Sequence, residues 1–287
     1  MSTPSLTRSV SLVDDDEVEP RPRPHRTRSW LGRVDRGFAI ERIAGYVFFI
    51  GVWQLLAGVV IEDFILPPPL VVLEEMVRIA GDGLLWEHGA VTFSKILTGF
   101  AITLVFGTAV GVLMGLSDWW DGFFRDGLLL SFTTPGLIFV LVSLMVFGIS
   151  TVGPIVAITL CSIPYVAINV WEGVRAVPSD LLSMARSFRM PRGARIRHIV
   201  IPSVMPYLFQ GMRFGFAIVW KIAMLVEIFA GNQGIGFNIR LEYQLFRMRT
   251  LLAWVLWFFV IAVVLERLVL QRLVNRSLRW RPAVATR

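Results

Sequence analysis

From Gly127 to Trp171 the chain carries no charged residue. A helix that crosses the hydrocarbon of a bilayer needs roughly 20 apolar residues, so this run is too long for a single crossing. The whole chain of 287 residues is 55% hydrophobic, and its mean hydropathy is +0.66. Soluble domains of this size rarely reach such values, so the sequence predicts an all-α membrane protein.

Six membrane-spanning helices are predicted from the apolar runs and from the turn residues between them. Gly148, Gly153 and Pro154 divide the uncharged run into a third and a fourth helix. The other spans are predicted at Ile43–Ile61, Ile96–Ser117, about Val204–Phe229 and about Leu251–Leu270. Together they form a predicted transmembrane domain over residues 41–272, with a tail on each side at 1–40 and 273–287.

The arginines predict which side of the membrane each connection occupies. Most of them lie in the N-terminal tail, in a loop at about 173–203 and near the C-terminus, and with six spans these segments share one side. Arginine is retained in the cytoplasm, so both termini and this loop are predicted to be cytoplasmic. The N-terminal tail is polar and proline-rich, which predicts that it is disordered. A tail of this composition does not resemble a cleavable signal peptide, so we expect none.

Other functional classes fit the sequence less well. The arginines flank apolar spans, so topology explains them better than nucleic-acid binding does. The three histidines are far apart and no HExxH or GxSxG motif is present, so we expect no catalytic residue, metal or cofactor. A self-sufficient secondary transporter or channel is the alternative function. Such proteins usually carry ionisable groups at the bilayer midplane, and the third and fourth spans have none.

Within the spans, two sets of residues are candidates for particular roles. Gly107, Gly111 and Gly115 are four residues apart and predict a close helix contact. The polar residues Asn169, Lys221 and Glu227 could line a pathway, and a pathway lysine would favour an anionic solute. Each also has a structural interpretation: a helix-to-helix hydrogen bond for Asn169, and snorkelling or an ion pair for the two charged residues. Lys221 and Glu227 cannot pair with each other, because six residues of helix put them on different faces.

The 173–203 loop contains a predicted short amphipathic helix. Pro178, Ser179 and Asp180 are typical of a helix start, with Ser179 as the expected cap. An apolar stripe follows at helical spacing, while two arginines lie off it; the stripe is Leu181, Met184, Ala185 and Phe188, and the arginines are Arg186 and Arg189. Such a helix can lie on the membrane, pack on its own bundle or dock into a groove of a partner.

The loop sequence "VRAVPSDLLSMARSFRMPRGARIRHIVIPSVMP" resembles the coupling loop of permease subunits of binding-protein-dependent ABC importers. "LPPPLVVLEEM", "GTAVGVLMG", "VEIFAGNQGIGFNI" and "LERLVLQRLVNRSLRW" extend the resemblance to the nitrate, sulfonate and taurine branch, over about Leu66 to Trp280. The resemblance implies the six-helix fold of a type I importer permease and a place in the bacterial inner membrane. It also implies partners: cytoplasmic ATPase subunits that hydrolyse ATP, a solute-binding protein, a second permease copy and membrane lipid.

The same resemblance implies that one group of loop residues contacts the ATPase: Leu181, Ser183, Met184, Ala185, Arg186, Phe188, Arg189 and Pro202. Two of these depart from the family pattern. Ser183 stands where the family usually has glutamate, and Arg189 stands where it usually has the turn glycine. The helix can still form, since neither residue is a helix breaker. The third span also has fewer prolines than the family usually has, with Pro135 in its middle.

Overall fold

The computed structural model describes residues 31–148, 150 and 152–267, and every regular element in these ranges is helical. The helices are α1 (Leu31–Leu55), α2 (Pro69–Gly81), α3 (Leu84–Leu116), α4 (Asp118–Thr133), α5 (Gly136–Phe147), α6 (Val152–Arg175), α7 (Ser179–Ser187), α8 (Arg192–Arg195), α9 (Ile201–Ala230), α10 (Ile235–Gln244) and α11 (Met248–Leu265). Two π-helical segments, Leu56–Val60 and Ile196–Val200, follow α1 and precede α9. The prediction of an all-α fold is confirmed.

The chain separates into two compact units, residues 1–52 and 53–287. The described part of the first unit is helical from Leu31 onward, so α1 includes the end of the tail that the sequence predicts to be disordered. The reason for this correction is that the last proline of the tail is Pro24, and no later residue of the tail breaks a helix as proline does. Residues 1–30 and the predicted C-terminal tail at 273–287 lie outside the described residues.

Among the described residues, four helical segments are long and apolar enough to cross a membrane, and the number rises to six if each of two bent helix pairs is one span. The first bent pair corrects the prediction of a single third helix, because α4 and α5 meet at 102°. Thr134 has an extended backbone (φ −72°, ψ 128°) at the break, just before Pro135. A proline disfavours helical conformation in the residue before it, so Pro135 ends α4. The second pair joins the helical run Arg192–Ala230 to α10 at 44°.

Several span boundaries also differ from the predicted ones. α3 begins at Leu84 rather than Ile96, because Glu87, His88 and Lys95 are part of the same helix. Charged residues interrupt an apolar run but do not interrupt helical backbone, so hydropathy alone places the start too late. The end predicted for the sixth span, Leu270, lies outside the described residues.

The core of the second unit is built around α6, which packs against α3, α5 and α9. Its buried side chains include Ile158 and Val166, each with no exposed surface. The main buried cluster joins four helices and consists of Ile96, Phe100, Val140, Ala157, Ile158, Cys161, Val219, Trp220, Ile222, Ala223 and Val226. Many large apolar side chains outside this cluster are exposed, as expected for helix faces that contact lipid.

The glycine stripe of α3 lies in close contact with α6. A Cβ atom placed on Gly107 would lie 2.7 Å from Cβ of Val166, and one on Gly111 would lie 2.5 Å from the carbonyl oxygen of Ala167. A Cβ atom on Gly115 would lie 2.5 Å from Cβ of Val174. All three glycines therefore let the backbones of α3 and α6 approach closely within one chain.

At the other end of the unit, α2 is fixed to α11 by polar contacts. Trp257 Nε1 donates to the Met76 carbonyl at 2.9 Å, and Thr250 Oγ1 donates to Glu75 at 2.7 Å. Arg78 also donates to Glu75, at 3.1 Å from Nε, and this bond holds the pKa of the Glu75 carboxyl below its usual range. The connection keeps α2 against the bundle although α2 is not a candidate span.

We predict that Gly111→Ala destabilises the protein, because the added methyl group must displace the backbone of α6 rather than a flexible side chain. Overpacking of this kind costs about 1–3 kcal/mol. Gly89→Ala, in the same helix, is the matched control, since an added Cβ there meets no described atom within 4 Å. Thermal unfolding of the detergent-solubilised chain would contradict this picture if both variants melted at the wild-type temperature.

Candidate functional site

The predicted amphipathic helix is present as α7, in the connection between α6 and α9. It begins at Ser179, but Ser179 does not cap it: Pro178 occupies the capping position and no side chain bonds the free amides there. Asp180 lies in the first turn, where its charge suits the helix dipole. We call the connection from Ala176 to Val200 the α6–α9 loop.

The C-terminus of α7 is a Schellman turn centred on Arg189. The Met190 amide donates to the Ala185 carbonyl at 2.9 Å, and the Arg189 amide donates to the Arg186 carbonyl at 2.9 Å. Arg189 adopts a left-handed backbone with φ of 51°, which is the conformation that glycine favours in this motif. A non-glycine residue in this region costs roughly 1–2 kcal/mol, so the turn is strained here.

The apolar stripe of α7 is divided between two surroundings. Leu181, Met184 and Phe188 are exposed, with Phe188 78% exposed. Ala185 is only 2% exposed and is covered by its own chain. Ala185 therefore differs from the other three members of the stripe, which are the ones that present exposed apolar surface. Ser183 is exposed and accepts a hydrogen bond from Arg186 at 3.2 Å.

Pro202 lies at the start of α9, directly after the π-helical segment Ile196–Val200. The Ile201 amide donates to the Ile196 carbonyl, one residue further back than in an α-helix. Proline has no amide hydrogen, so residue 202 donates no backbone hydrogen bond in the first turn of α9. Pro202 is half-buried rather than exposed.

An ion-pair cluster that the sequence does not reveal anchors the loop where it leaves α6. The buried Asp121 of α4 pairs with Arg125 at 2.6 Å and with Arg175 at 3.3 Å. Arg175 also pairs with Asp118 at 2.5 Å, and both guanidinium groups lie over the ring of Trp171. Because Arg175 is the last residue of α6, the cluster fixes the beginning of the α6–α9 loop to α4.

Asn169 and Lys221, two of the candidate pathway residues, have different surroundings. Asn169 Nδ2 donates to the Tyr165 carbonyl of its own helix at 2.7 Å, so the expected helix-to-helix bond is not formed by this donor. Lys221 is exposed and forms no ion pair with any residue that the structure describes. It belongs to an exposed stripe of α9 at helical spacing: Gln210, Arg213, Phe214, Ala217 and Lys221.

Glu227, the third candidate, is fully buried with 0% of its surface exposed. Its carboxylate pairs with Lys95 Nζ at 2.9 Å and accepts hydrogen bonds from Thr92 Oγ1 at 2.8 Å and from the Gly236 amide at 3.0 Å. The structure therefore excludes snorkelling of Glu227 to an interface and supports the ion pair. A side chain on Gly234, where φ is +118°, would meet this carboxylate.

No group of three histidine, cysteine or carboxylate side chains that could hold a metal occurs among the residues that the structure describes. Sequence reasoning missed Lys95 and Thr92 as partners of Glu227. A signal was present, since a glutamate inside an apolar helix needs a cation and the chain has only two lysines.

Comparison with known proteins gives a consistent result along most of the chain. Residues 103–280 match the family described as binding-protein-dependent transport system inner membrane component. The chain is 29% identical to the taurine transport system permease protein of Escherichia coli K12, over 89% of this chain and 94% of that protein. It is 27% identical to the bicarbonate transport system permease protein of Synechococcus elongatus (89% and 96% covered). It is 24% identical to the nitrate import permease protein of Synechocystis sp. PCC 6803 (86% and 92% covered).

We predict that Lys95→Met strongly destabilises the protein, because it leaves the buried Glu227 carboxylate without its cation. Removing one partner of a buried pair costs about 3–5 kcal/mol. Adding Glu227→Gln to this variant should recover part of the loss, since no unpaired charge then remains. Arg213→Met is the control: it breaks the exposed pair with Glu266, which is worth at most about 1 kcal/mol. Equal melting temperatures for Lys95→Met and Arg213→Met would show that the buried pair is not important for stability.

Proposed function

The chain belongs to the family of binding-protein-dependent transport system inner membrane components, and from this premise we propose how it works within an importer for a small anion. It is the membrane-spanning permease subunit, which forms the translocation pathway. In this proposal two copies of the chain enclose the pathway. A solute-binding protein delivers the solute on the outer side, and separate cytoplasmic ATPase subunits hydrolyse ATP.

The observation that carries the ATPase contact is the exposed part of α7. Leu181, Met184 and Phe188 project from a short helix that is held by its Schellman turn and by the Arg175 cluster. Exposed apolar side chains on one face of a helix fit a hydrophobic groove of a partner. Because the Arg175 cluster fixes the start of the α6–α9 loop to α4, we expect a push on α7 to reach α6 through this end of the loop.

We place the α6–α9 loop and both termini in the cytoplasm. The support is the arginine distribution, since Arg186, Arg192, Arg195 and Arg197 all lie in this one connection. The N-terminal tail at 1–40 and the C-terminal tail at 273–287 are the other two arginine-rich segments. Contact of α7 with an ATP-hydrolysing subunit requires the same orientation, because ATP is cytoplasmic.

The proposal of an anionic solute is supported by Lys221 and by the relatives. Lys221 lies on the exposed stripe of α9, where an ammonium group against lipid would cost roughly 3 kcal/mol or more. A second copy of the chain placed against this stripe would replace lipid with a polar pathway that carries positive charge from both copies. Taurine, bicarbonate and nitrate, for which the relatives are named, each carry an anionic group.

For the ATPase contact, we predict that Met184→Asp abolishes import and releases the ATPase while the chain still reaches the membrane. A carboxylate in an apolar groove loses its hydration without a partner, which should weaken docking by about 3 kcal/mol or more. Leu73→Asp on α2 is the matched control, because Leu73 is 55% exposed and Met184 is 52% exposed. Co-purification of the ATPase measures docking. Import by the purified chain without any ATPase would instead favour a secondary transporter or channel.

For the pathway, we predict that Lys221→Met lowers import of the anion and that Lys221→Arg largely preserves it, because only the first change removes the charge. The expected loss is roughly tenfold, which corresponds to about 1.4 kcal/mol. Membrane insertion and ATPase co-purification serve as controls in both variants. Equal import by the methionine and arginine variants would mean that Lys221 has no role in the pathway.

A further inference from the structure

The α6–α9 loop carries an unbalanced positive charge. Five arginines lie between positions 186 and 197, and no aspartate or glutamate occurs from Leu181 to Val226. The nearest carboxylate before them is Asp180, at the start of α7. Ser183 stands on the same helix at the position where the resemblance leads us to expect an acidic side chain, so the helix itself supplies no counter-charge after its first turn.

Other arginines of the described chain have carboxylate partners. Arg78, Arg125, Arg175, Arg213 and Arg247 each lie within 4.0 Å of an aspartate or glutamate oxygen. The loop arginines form no ion pair with any described residue, and Arg186 bonds only the neutral Ser183 hydroxyl. Arg240 and Arg249 also form no ion pair with a described residue, and the loop differs from them in holding five such arginines within twelve positions.

Three of these arginines line one open cavity. Arg186 comes from α7, whereas Arg192 and Arg195 come from α8, and together they line a cavity of about 340 Å³. Its remaining wall is apolar and consists of Leu182, Ile196 and Val200. Planar guanidinium groups bind carboxylates through two parallel hydrogen bonds, so a cavity of this kind is suited to acidic side chains.

We propose that the basic face of the α6–α9 loop docks against an acidic surface of the ATPase subunit, with carboxylates of that subunit entering this cavity. The inference rests on the proposed ATPase contact and adds the chemistry of the partner. Leu181, Met184 and Phe188 supply the apolar part of the same contact. Complementary charge then selects an ATPase with an acidic docking surface and disfavours one whose surface is basic.

The position of the cavity favours a protein partner over lipid headgroups. Residues Arg192–Ala230 form one helical run, and its predicted apolar span begins near Val204. At 1.5 Å per residue, Arg192 lies about 18 Å along the helix axis beyond that point. The headgroup layer is only about 5–8 Å thick on each side of the hydrocarbon. The arginines at the beginning of the run therefore project past the lipid, at the depth where a soluble subunit would sit.

The test uses the full chain co-expressed with the ATPase encoded for the same importer and reconstituted in lipid nanodiscs. We expect the double variant Arg192→Glu, Arg195→Glu to bind the ATPase roughly 10- to 100-fold more weakly, because like charges then oppose each other. Arg192→Lys with Arg195→Lys keeps the charge but loses the two parallel hydrogen bonds of each guanidinium group, so it should bind more weakly than wild type and more tightly than the glutamate variant. Raising salt from about 0.1 M to about 1 M should weaken wild-type docking, since the screening length falls from about 10 Å to about 3 Å.

The outcomes distinguish a failure of this inference from a failure of the proposed contact between α7 and the ATPase. If the glutamate variant binds as wild type does while Met184→Asp releases the ATPase, the docking helix is right and the acidic surface is wrong. If Met184→Asp also leaves binding unchanged, the ATPase contact itself fails. If docking responds to charge reversal only in nanodiscs that contain phosphatidylglycerol, and not in pure phosphatidylcholine, lipid phosphates rather than ATPase carboxylates are the ligand. If lysines in place of the ATPase carboxylates restore binding to the Arg192→Glu, Arg195→Glu variant, the two sets of charges face each other and the inference is supported.

Discussion

The arrangement of the second unit depends on how closely α3 and α6 approach each other. In a bilayer, helices gain little from burying apolar surface against one another, so packing must come from close backbone contact. The glycines at 107, 111 and 115 remove the side chains that would keep the two helices apart. With α3 and α6 held together, α9 packs into the groove beside them, and the buried cluster from Ile96 to Val226 follows.

Two charged clusters complete the bundle near its two ends, and they are built on the same principle. Lys95 with Glu227 joins α3 to α9, while Asp121 with Arg125 and Arg175 joins α4 to α6. Buried charges specify which helices may meet, because an incorrect pairing would leave a charge unpaired in a medium of low polarity. The apolar middle of the bundle provides the contact area between the helices, and the charged clusters near its ends fix the position of each helix along its neighbour.

Much of this architecture could be predicted from the sequence, because a membrane imposes simple rules on length and polarity. Most span positions and the short helix α7 are predicted by local pattern. The left-handed turn at Arg189 is not, since the resemblance only marks this position as one where the family usually has glycine. The pairing of Lys95 with Glu227 is not predicted either, since the two residues are 132 positions apart and local sequence does not report tertiary neighbours. The burial of Ala185 likewise depends on what packs nearby, which hydropathy does not describe. The break at Pro135 has a local cause, but a proline that ends one helix does not fix the angle of 102° to the next one.

The continuous helical run from Arg192 to Ala230 has a mechanical consequence. At 1.5 Å per residue it is a rod about 58 Å long, so a tilt of about 5° about one end would displace the other by about 5 Å. The π-helical segment Ile196–Val200 lies close to the end that carries the loop and continues into α9 without a break in the helix. At the far end, the bond of the Gly236 amide to Glu227 would pass the movement to α10. A small force on the loop would thus act with a long lever arm on residues that lie on the opposite side of the bilayer.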